Sequence, residues 1–253
     1  MKQAHFVMTT KGGVGKSYVA SLITQWLMSR EKKVQAFDND PATATLFAYK
    51  ALPVKRIQLV TNEDEIDQAA YDQMVTDMLA GSSDFVIDNG ASNYFPLINY
   101  MRENELFDVL RSNDIRPIVH TPVMGGGSLQ LSVQGVDEVL KGLDDQTEMV
   151  VWLNEHEGPI AADGKTWEQF ATYLRWKQRI TAEVVIKEQR ATLFKKLLRE
   201  KLLGPSLTFA EFAELGDDDG VGVMEKQRAH LIAKEIFSQL DQVLGAGACN
   251  KAA

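Results

Sequence analysis

The sequence predicts an α/β fold: a mostly parallel β-sheet flanked by helices, with a helical C-terminal third. Three observations carry that expectation. Short apolar runs alternate with longer stretches of helical periodicity, as in a sheet covered by crossover helices. The first run leads directly into a glycine-rich loop, Lys11-Gly12-Gly13-Val14-Gly15-Lys16-Ser17, and then into a helical pattern. The next run ends at Asp38, closing a β-loop-α-β unit whose right-handed crossover requires parallel strands. With 253 residues, 45% apolar and 25% charged, the chain suits a single domain over residues 1–253.

Element by element, His5, Phe6, Val7, Met8 and Thr9 form the first strand candidate. From Ser17, the residues Val19, Ala20, Leu22, Ile23, Trp26 and Leu27 recur at helical spacing until the charged cluster at 30–33. Residues 34–37 read as the second strand. A polar stretch at 61–67 leads to a helix through Ala69, Tyr71, Met74, Val75, Met78 and Leu79, stopped by Gly81-Ser82. Residues 85–87, 117–120, 149–153 and 182–186 supply four more strand candidates, and residues 167–179, 190–203 and 224–244 three helices. Gly125, Gly126 and Gly127 read as a flexible βα loop, and the acidic run 216–220 as a solvated turn lacking the spacing of a Ca²⁺ loop.

The chemistry concentrates at strand ends. Gly12, Gly13, Val14 and Gly15 offer backbone N–H groups, and the helix that follows aims its positive end at a bound phosphate. Lys16 reaches the β/γ-phosphates, Ser17 offers its hydroxyl to Mg²⁺, and Tyr18 completes the nucleotide-binding stretch. Asp38-Asn39-Asp40-Pro41 follow the second strand, at the sheet end where open α/β sheets hold ligands, so Asp40 can face the terminal phosphate. A helix cap by Asp40 with Pro41 at the first helical position is the other reading. Phe85-Val86-Ile87-Asp88 is a buried-strand pattern ending in a carboxylate suited to Mg²⁺, or in a turn-forming aspartate. Val150-Val151-Trp152-Leu153-Asn154 ends in an amide that can read both a donor and an acceptor on adenine, or that forms a turn.

The second lysine, Lys11, and the threonine at position 10 where the general loop has glycine together resemble the deviant Walker A motif of the ParA/MinD ATPases. That resemblance implies a slow, partner- or DNA-stimulated ATPase that uses ATP and Mg²⁺ and forms a homodimer in the ATP state. It implies that Lys11 reaches the neighbouring subunit's nucleotide, acting as an arginine finger does on charge developing in the transition state. By the same resemblance Asp40 positions the hydrolytic water, Asp88 contacts Mg²⁺ through water, and Asn154 contacts the base. The family's proline pair after the Asp88 strand is absent here, and Ile186 is followed by Lys187 where the family often has proline. The opening residues 5–10 with the loop, and residues 40–50, are similar to a branch of the family from conjugative plasmids, which implies a role in plasmid conjugative transfer with transfer proteins as partners.

The net charge of −8 argues against a wholly nucleic-acid-coating protein, but residues 175–201 hold nine basic and three acidic side chains. Weak, non-specific DNA binding through this segment and a solvated helix surface both remain open. No signal-peptide order precedes the loop and no integral membrane segment is read, so the expected location is cytoplasmic. Cys249 is the only cysteine and allows no intramolecular disulfide or cysteine metal cluster. His5, His120, His156 and His230 are too scattered to read as a local ligand set. Two rival functions stand beside the switch: a small-molecule P-loop ligase or kinase related to dethiobiotin synthetase, and a non-catalytic nucleotide-locked scaffold. Lys11 favours the switch over the first.

Overall fold

The computed structural model describes residues 1–41, 43–57, 67–92 and 94–245; the polar stretch before the second helix and Cys249 lie outside them, apart from Asp67. The strands are β1 (Lys2–Val7), β2 (Val34–Asn39), β3 (Val54–Arg56), β4 (Asp84–Asn89), β5 (Ile115–Met124), β6 (Glu148–Asn154), a short hairpin of β7 (Ala161–Ala162) and β8 (Lys165–Thr166), and β9 (Ile180–Ile186). The helices are α1 (Lys16–Ser29), α2 (Gln68–Ala80), α3 (Tyr94–Glu103), α4 (Leu106–Ser112), α5 (Leu129–Gly142), α6 (Ala171–Trp176), α7 (Thr192–Leu198), α8 (Phe209–Glu214) and α9 (Val223–Leu244). Seven strands form one parallel sheet in the order β3-β2-β4-β1-β5-β6-β9.

Both faces of the sheet are covered, which is why its central strands are almost continuously apolar. Phe6, Phe37, Phe85, Ile87, Val119 and Val151 face α2 to α5 on one side. Their strand neighbours Val7, Ala36, Val86, Ile118 and Val150 face α1 and α9 on the other. α2 starts where Asp67 accepts a hydrogen bond from the Ala70 N–H at 3.0 Å, and ends where the Lys2 ammonium donates to the Gly81 carbonyl at 2.8 Å. At the sheet edge, the Gln239 side chain on α9 accepts from the Val185 N–H at 2.7 Å and donates to its carbonyl at 3.0 Å, masking part of an open strand edge.

Besides α3, α4, α5 and α8, to which the sequence analysis assigns no bounds, the described residues depart from the sequence expectations in four places. The single helix expected over 167–179 is a 3₁₀ turn at Trp167–Gln169 followed by α6. Phe170 between them is extended, and the buried Trp167 indole donates to the Glu183 carboxylate at 2.5 Å, so a tertiary contact overrides helical propensity. The helix expected over 190–203 is α7 continued by a π-helical turn, Arg199–Leu203. β3 and the β7/β8 hairpin add strands that are too short to show a period in the sequence. The glycine run after β5 is closely packed at its start rather than an open loop. A Cβ on Gly125 would lie 1.9 Å from the Gly158 carbonyl oxygen, and one on Gly126 2.6 Å from that of Glu157.

The structure also joins two of the scattered histidines. His5 and His120 are fully buried on adjacent strands, with Nδ1 of His5 2.9 Å from Nε2 of His120. Trp152 Nε1, which can only donate, donates to His120 Nδ1 at 3.0 Å, so His120 must carry its proton on Nε2 and donate to His5. His5 then donates from Nε2 to Gln3 Oε1 at 3.1 Å, and Gln3 donates to the Leu244 carbonyl at 3.2 Å. Both rings are satisfied in the neutral state. Burial holds His5 down to about 3 and His120 well below its ordinary value.

Because the unfolded chain takes up these protons below about pH 6.5 and the folded chain does not, stability is full above that pH and declines as pH falls, by about 1.4 kcal/mol per pH unit for each histidine. His5→Gln is therefore expected to lower stability at pH 7.5 yet to lose about 2 kcal/mol less than the wild type on going to pH 5. Urea unfolding at the two pH values measures this, and equal losses in both proteins would count against the neutral pair.

Candidate functional site

The glycine-rich loop, residues 11–17, connects β1 to α1. Gly13 and Gly15 both sit in the left-handed region, with φ of 76° and 95°, which an L side chain rarely adopts. Gly15 has a second constraint: a Cβ there would lie 2.8 Å from the amide nitrogen of Asn154. Val14 is fully buried and anchors the loop, while nothing stands within 4 Å of a Cβ placed on Gly12 or Gly13. Among the described residues no side chain caps the start of α1, and its first turn carries no acidic residue, so the helix end keeps its positive character toward the loop. Lys16 is 7% exposed and Ser17 half-buried at this end, with Tyr18 next to them in the first turn.

Register brings the carboxylates to the same place. Asp88 stands opposite Val7 on β1 and opposite Asp38 on β2, and all three alternate onto the face that α1 covers. The two aspartates differ in state. Asp38 is fully used: Oδ1 accepts from the Asp40 N–H at 3.0 Å and Oδ2 from the Phe47 N–H at 2.8 Å, stapling the loop after β2. Burial raises its pKa and those backbone donors pull it back. Asp88 is fully buried, and neither carboxylate oxygen has a hydrogen-bond partner among the described residues. Burial pushes it up to about 7, against the pull of the Ser17 hydroxyl and the Lys16 ammonium; Asp38 and Asp40 add to the rise.

Asp40 is half-buried and accepts from the Thr43 N–H at 3.2 Å, closing a turn rather than capping an α-helix; the nearest helical turn is the 3₁₀ segment Leu46–Ala48. Lys11 is half-buried, its N–H donating to Thr9 Oγ1 at 3.4 Å. Thr9 and Thr10 in turn approach α5 at Gly135, where a Cβ would lie 2.7 Å from Thr9 Oγ1. Gly135 lies inside a helical pattern, where a glycine is the sequence signal for such a close approach.

Asn154 ends β6 beside the loop. Its amide nitrogen donates to the Val14 carbonyl at 3.3 Å, and its oxygen accepts from the His156 N–H at 3.2 Å. From here a largely apolar cleft with room for about 240 Å³ opens between Tyr18, Ile186, Leu198, Leu202, Phe209 and Ile232. Those walls come from α1, β9, α7 and its π-helical continuation, α8 and α9, so the cleft is not visible as a sequence motif.

The basic segment 175–201 does not form one face. Tyr173 and Trp176 of α6 pack on the α2–α5 side of the sheet, whereas Phe194 and Leu198 of α7 pack with Phe212 and Ala229 on the α9 side. Arg175 pairs with Asp137 at 2.9 Å, Arg179 with Asp145 at 2.6 Å, Lys187 with Glu235, Lys195 with Glu188 at 3.7 Å and Lys196 with Glu200 at 3.8 Å. Carboxylates, several of them distant in sequence, thus balance much of the local excess.

The state of Asp88 has a measurable consequence. A carboxyl whose folded pKa is raised contributes fully below the unfolded value and loses that contribution as pH climbs through about 7. Asp88→Asn, without metal or nucleotide, is expected to gain stability relative to the wild type by ~2–3 kcal/mol between pH 5 and pH 7, since two pH units at ~1.4 kcal/mol each separate the two states. Parallel pH profiles of denaturant unfolding for the two proteins would show that Asp88 is not ionised at a cost.

A family profile described as the CobQ/CobB/MinD/ParA nucleotide binding domain matches residues 5–211. A Protein TraL of Escherichia coli is 33% identical over 245 residues, covering 95% of this chain and 98% of the relative. A second Protein TraL of Escherichia coli is 33% identical over 241 residues, again covering 95% and 98%. Among solved structures, a putative plasmid partition protein from Borrelia burgdorferi B31 bound to AMPPNP aligns with a TM-score of 0.46 at 16% identity, over 92% of this chain and 98% of that one.

Proposed function

The chain belongs to the CobQ/CobB/MinD/ParA nucleotide-binding family, and from that premise we propose that it binds ATP with Mg²⁺ and hydrolyses it as a dimerisation switch in plasmid conjugative transfer. The observation that carries the reading is Asp88: a buried carboxylate with both oxygens unpartnered among the described residues, next to Lys16 and Ser17 at the uncapped start of α1. An orphaned buried carboxylate is costly on its own, and a divalent cation held jointly with a phosphate removes that cost. The residues present fit the group. Ser17 and Asp88, with Asp40 nearby, would hold Mg²⁺, whose charge would offset that of the phosphates during transfer.

The protein's own groups have separable tasks. The N–H groups of residues 12–17 and the Lys16 ammonium cradle phosphate oxygens, and the apolar cleft beyond Tyr18 takes the base. Asn154 stands where the two regions meet. Asp40, tied through Thr43 and Asp38 to the loop after β2, orients the attacking water. Lys11 serves the nucleotide of a second subunit. The conjugative role rests on likeness to TraL proteins over 95% of the chain. Of the basic segment, the α7 side, with Lys196, Arg199 and Lys201, is the part that a weak DNA contact would use, and transfer proteins are the other partners proposed. The expected location remains the cytoplasm; no described helix is long and apolar enough to cross a membrane.

Two measurements test this. With free ATP·Mg²⁺ at 100 times its dissociation constant, binding is expected to stabilise the protein by about 2.7 kcal/mol, read as a rise in thermal midpoint. Lys16→Ala should abolish the rise, and an unchanged rise would remove the loop from the site. Turnover is expected to depend on dimers: Lys11→Ala and Asp40→Ala proteins, each inactive alone, should recover activity when mixed. Steady-state hydrolysis with and without duplex DNA then separates a switch from the two rivals. Wild-type turnover by Lys11→Ala would exclude the trans role, and absence of turnover with intact ATP binding would favour the nucleotide-locked scaffold.

A further inference from the structure

We infer that Gly135 on α5 is a positioning residue for Lys11: it seats Thr9 and Thr10 against the helix and so sets where Lys11 is presented to a second subunit. The inference rests on the proposed action of Lys11 in trans and deepens it. Space, not backbone conformation, accounts for this glycine. It lies within an ordinary α-helix, where alanine is the better residue, yet a Cβ there would lie 2.7 Å from Thr9 Oγ1, 3.2 Å from Thr10 Oγ1 and 3.8 Å from the Thr10 nitrogen.

Neither side of this contact is free to move away. Beyond the end of β1 the chain stays on β5, with the Met8 N–H donating to the His120 carbonyl at 3.0 Å and the Thr121 hydroxyl donating to the Met8 carbonyl at 3.0 Å. Thr9 follows at 1% exposure. On the helix, one turn before Gly135, the fully buried Ser132 accepts from the Met124 N–H at 3.1 Å, and Val136 and Val139 are buried in the layer that includes Val119 and Val123 of β5. A side chain at position 135 therefore displaces the threonines at residues 9 and 10. Lys11 takes up the displacement directly: its N–H donates to Thr9 Oγ1 at 3.4 Å, and among the described residues its ammonium has no partner that would hold it independently.

The phosphate cradle is anchored elsewhere. Val14 is fully buried, and its carbonyl accepts from the Asn154 amide at 3.3 Å; Lys16 and Ser17 belong to α1. Between the two halves lie Gly12 and Gly13, with no neighbouring segment within 4 Å of a Cβ placed on either, and with φ of 76° at Gly13. This joint is conformationally permissive, so a shift of residues 9–11 is absorbed there before it reaches the cradle. Gly135 thus acts through Lys11 on the neighbour's nucleotide rather than on the nucleotide of its own subunit.

Mixing impaired subunits tests the direction of this effect. Gly135→Ala is expected to lower turnover about tenfold while leaving the dissociation constant for ATP·Mg²⁺, measured calorimetrically, within about twofold of the wild type. Mixed with Asp40→Ala, it should recover turnover, because the Asp40→Ala subunit supplies a well-placed Lys11 to a site whose own Asp40 is intact. Mixed with Lys11→Ala, it should not. Thr9→Val keeps the shape against Gly135 but removes the acceptor for the Lys11 N–H, and it is expected to behave in the same way. Hydrogen exchange without ligand gives a readout independent of activity: the Lys11 N–H should exchange faster in both variants, while that of Met8 keeps its protection.

The reverse pattern, recovery with Lys11→Ala and none with Asp40→Ala, would place the defect in the variant's own site and overturn the inference. Wild-type turnover of Gly135→Ala, or unchanged exchange at Lys11, would overturn it as well. A Gly135→Ala protein that fails to fold shows as lost protection throughout the sheet, and Thr9→Val then decides by the same two mixtures. If the Lys11→Ala and Asp40→Ala pair itself recovers nothing, the trans role of Lys11 falls, while exchange at Lys11 still decides whether Gly135 seats this segment.

Discussion

The parallel register of β2, β4 and β1 is the constraint on which the site depends. Because Asp38, Asp88 and Val7 stand in line across these strands and point to the same face, the chain leaves β1 for its glycine-rich turn directly beside two carboxylates. A shift of one residue would turn Asp88 into the opposite apolar layer and bring Ile87 to the loop. The apolar residues that alternate with the functional ones hold this register: Phe37, Phe85 and Ile87 on one face, Ala36 and Val86 on the other. Packing of the core and placement of the chemistry are therefore the same fact.

On that frame, similar residues take different physical roles. Asp38 and Asp88 are both fully buried aspartates at strand ends, yet backbone N–H groups saturate the first and leave the second without partners among the described residues. A carboxylate that accepts several backbone hydrogen bonds organises a loop; one left alone in low dielectric is pushed toward its protonated form. The same contrast separates Asp40, held in a turn by Thr43, from a free surface carboxylate. Identity and strand position alone do not distinguish these cases.

The other half of the sheet, β5, β6 and β9, carries the remainder of the cleft. Here the histidine and tryptophan side chains are buried but fully used. The His5–His120–Trp152 chain has one consistent arrangement of protons, which fixes two tautomers and joins β1, β5 and β6. α9 closes this side: Asp241 accepts from the Trp26 indole at 2.9 Å and pairs with Arg30 at 2.5 Å, while Gln239 covers the edge of β9. Satisfied networks of this kind make the scaffold behind the loop rigid.

Local sequence determined the glycine-rich loop, the strands that precede it and follow it, and the positions of Asp38, Asp88 and Asn154 at strand ends. These features are local: glycines at left-handed positions, apolar runs of strand length and helical periodicity are written in adjacent residues. The family resemblance added roles for Lys11 and Asp40 that no spacing shows. What Asn154 and Asp38 bind, the pairing of His5 with His120, and the fit of Gly135 to Thr9 were decided only by tertiary structure, because each joins segments whose proximity follows from strand order rather than from sequence distance. The basic segment shows the same limit. Its charges are neighbours along the chain, but β9 runs between them and sends α6 and α7 to opposite faces of the sheet, where Asp137, Asp145 and Glu235 from other elements meet them.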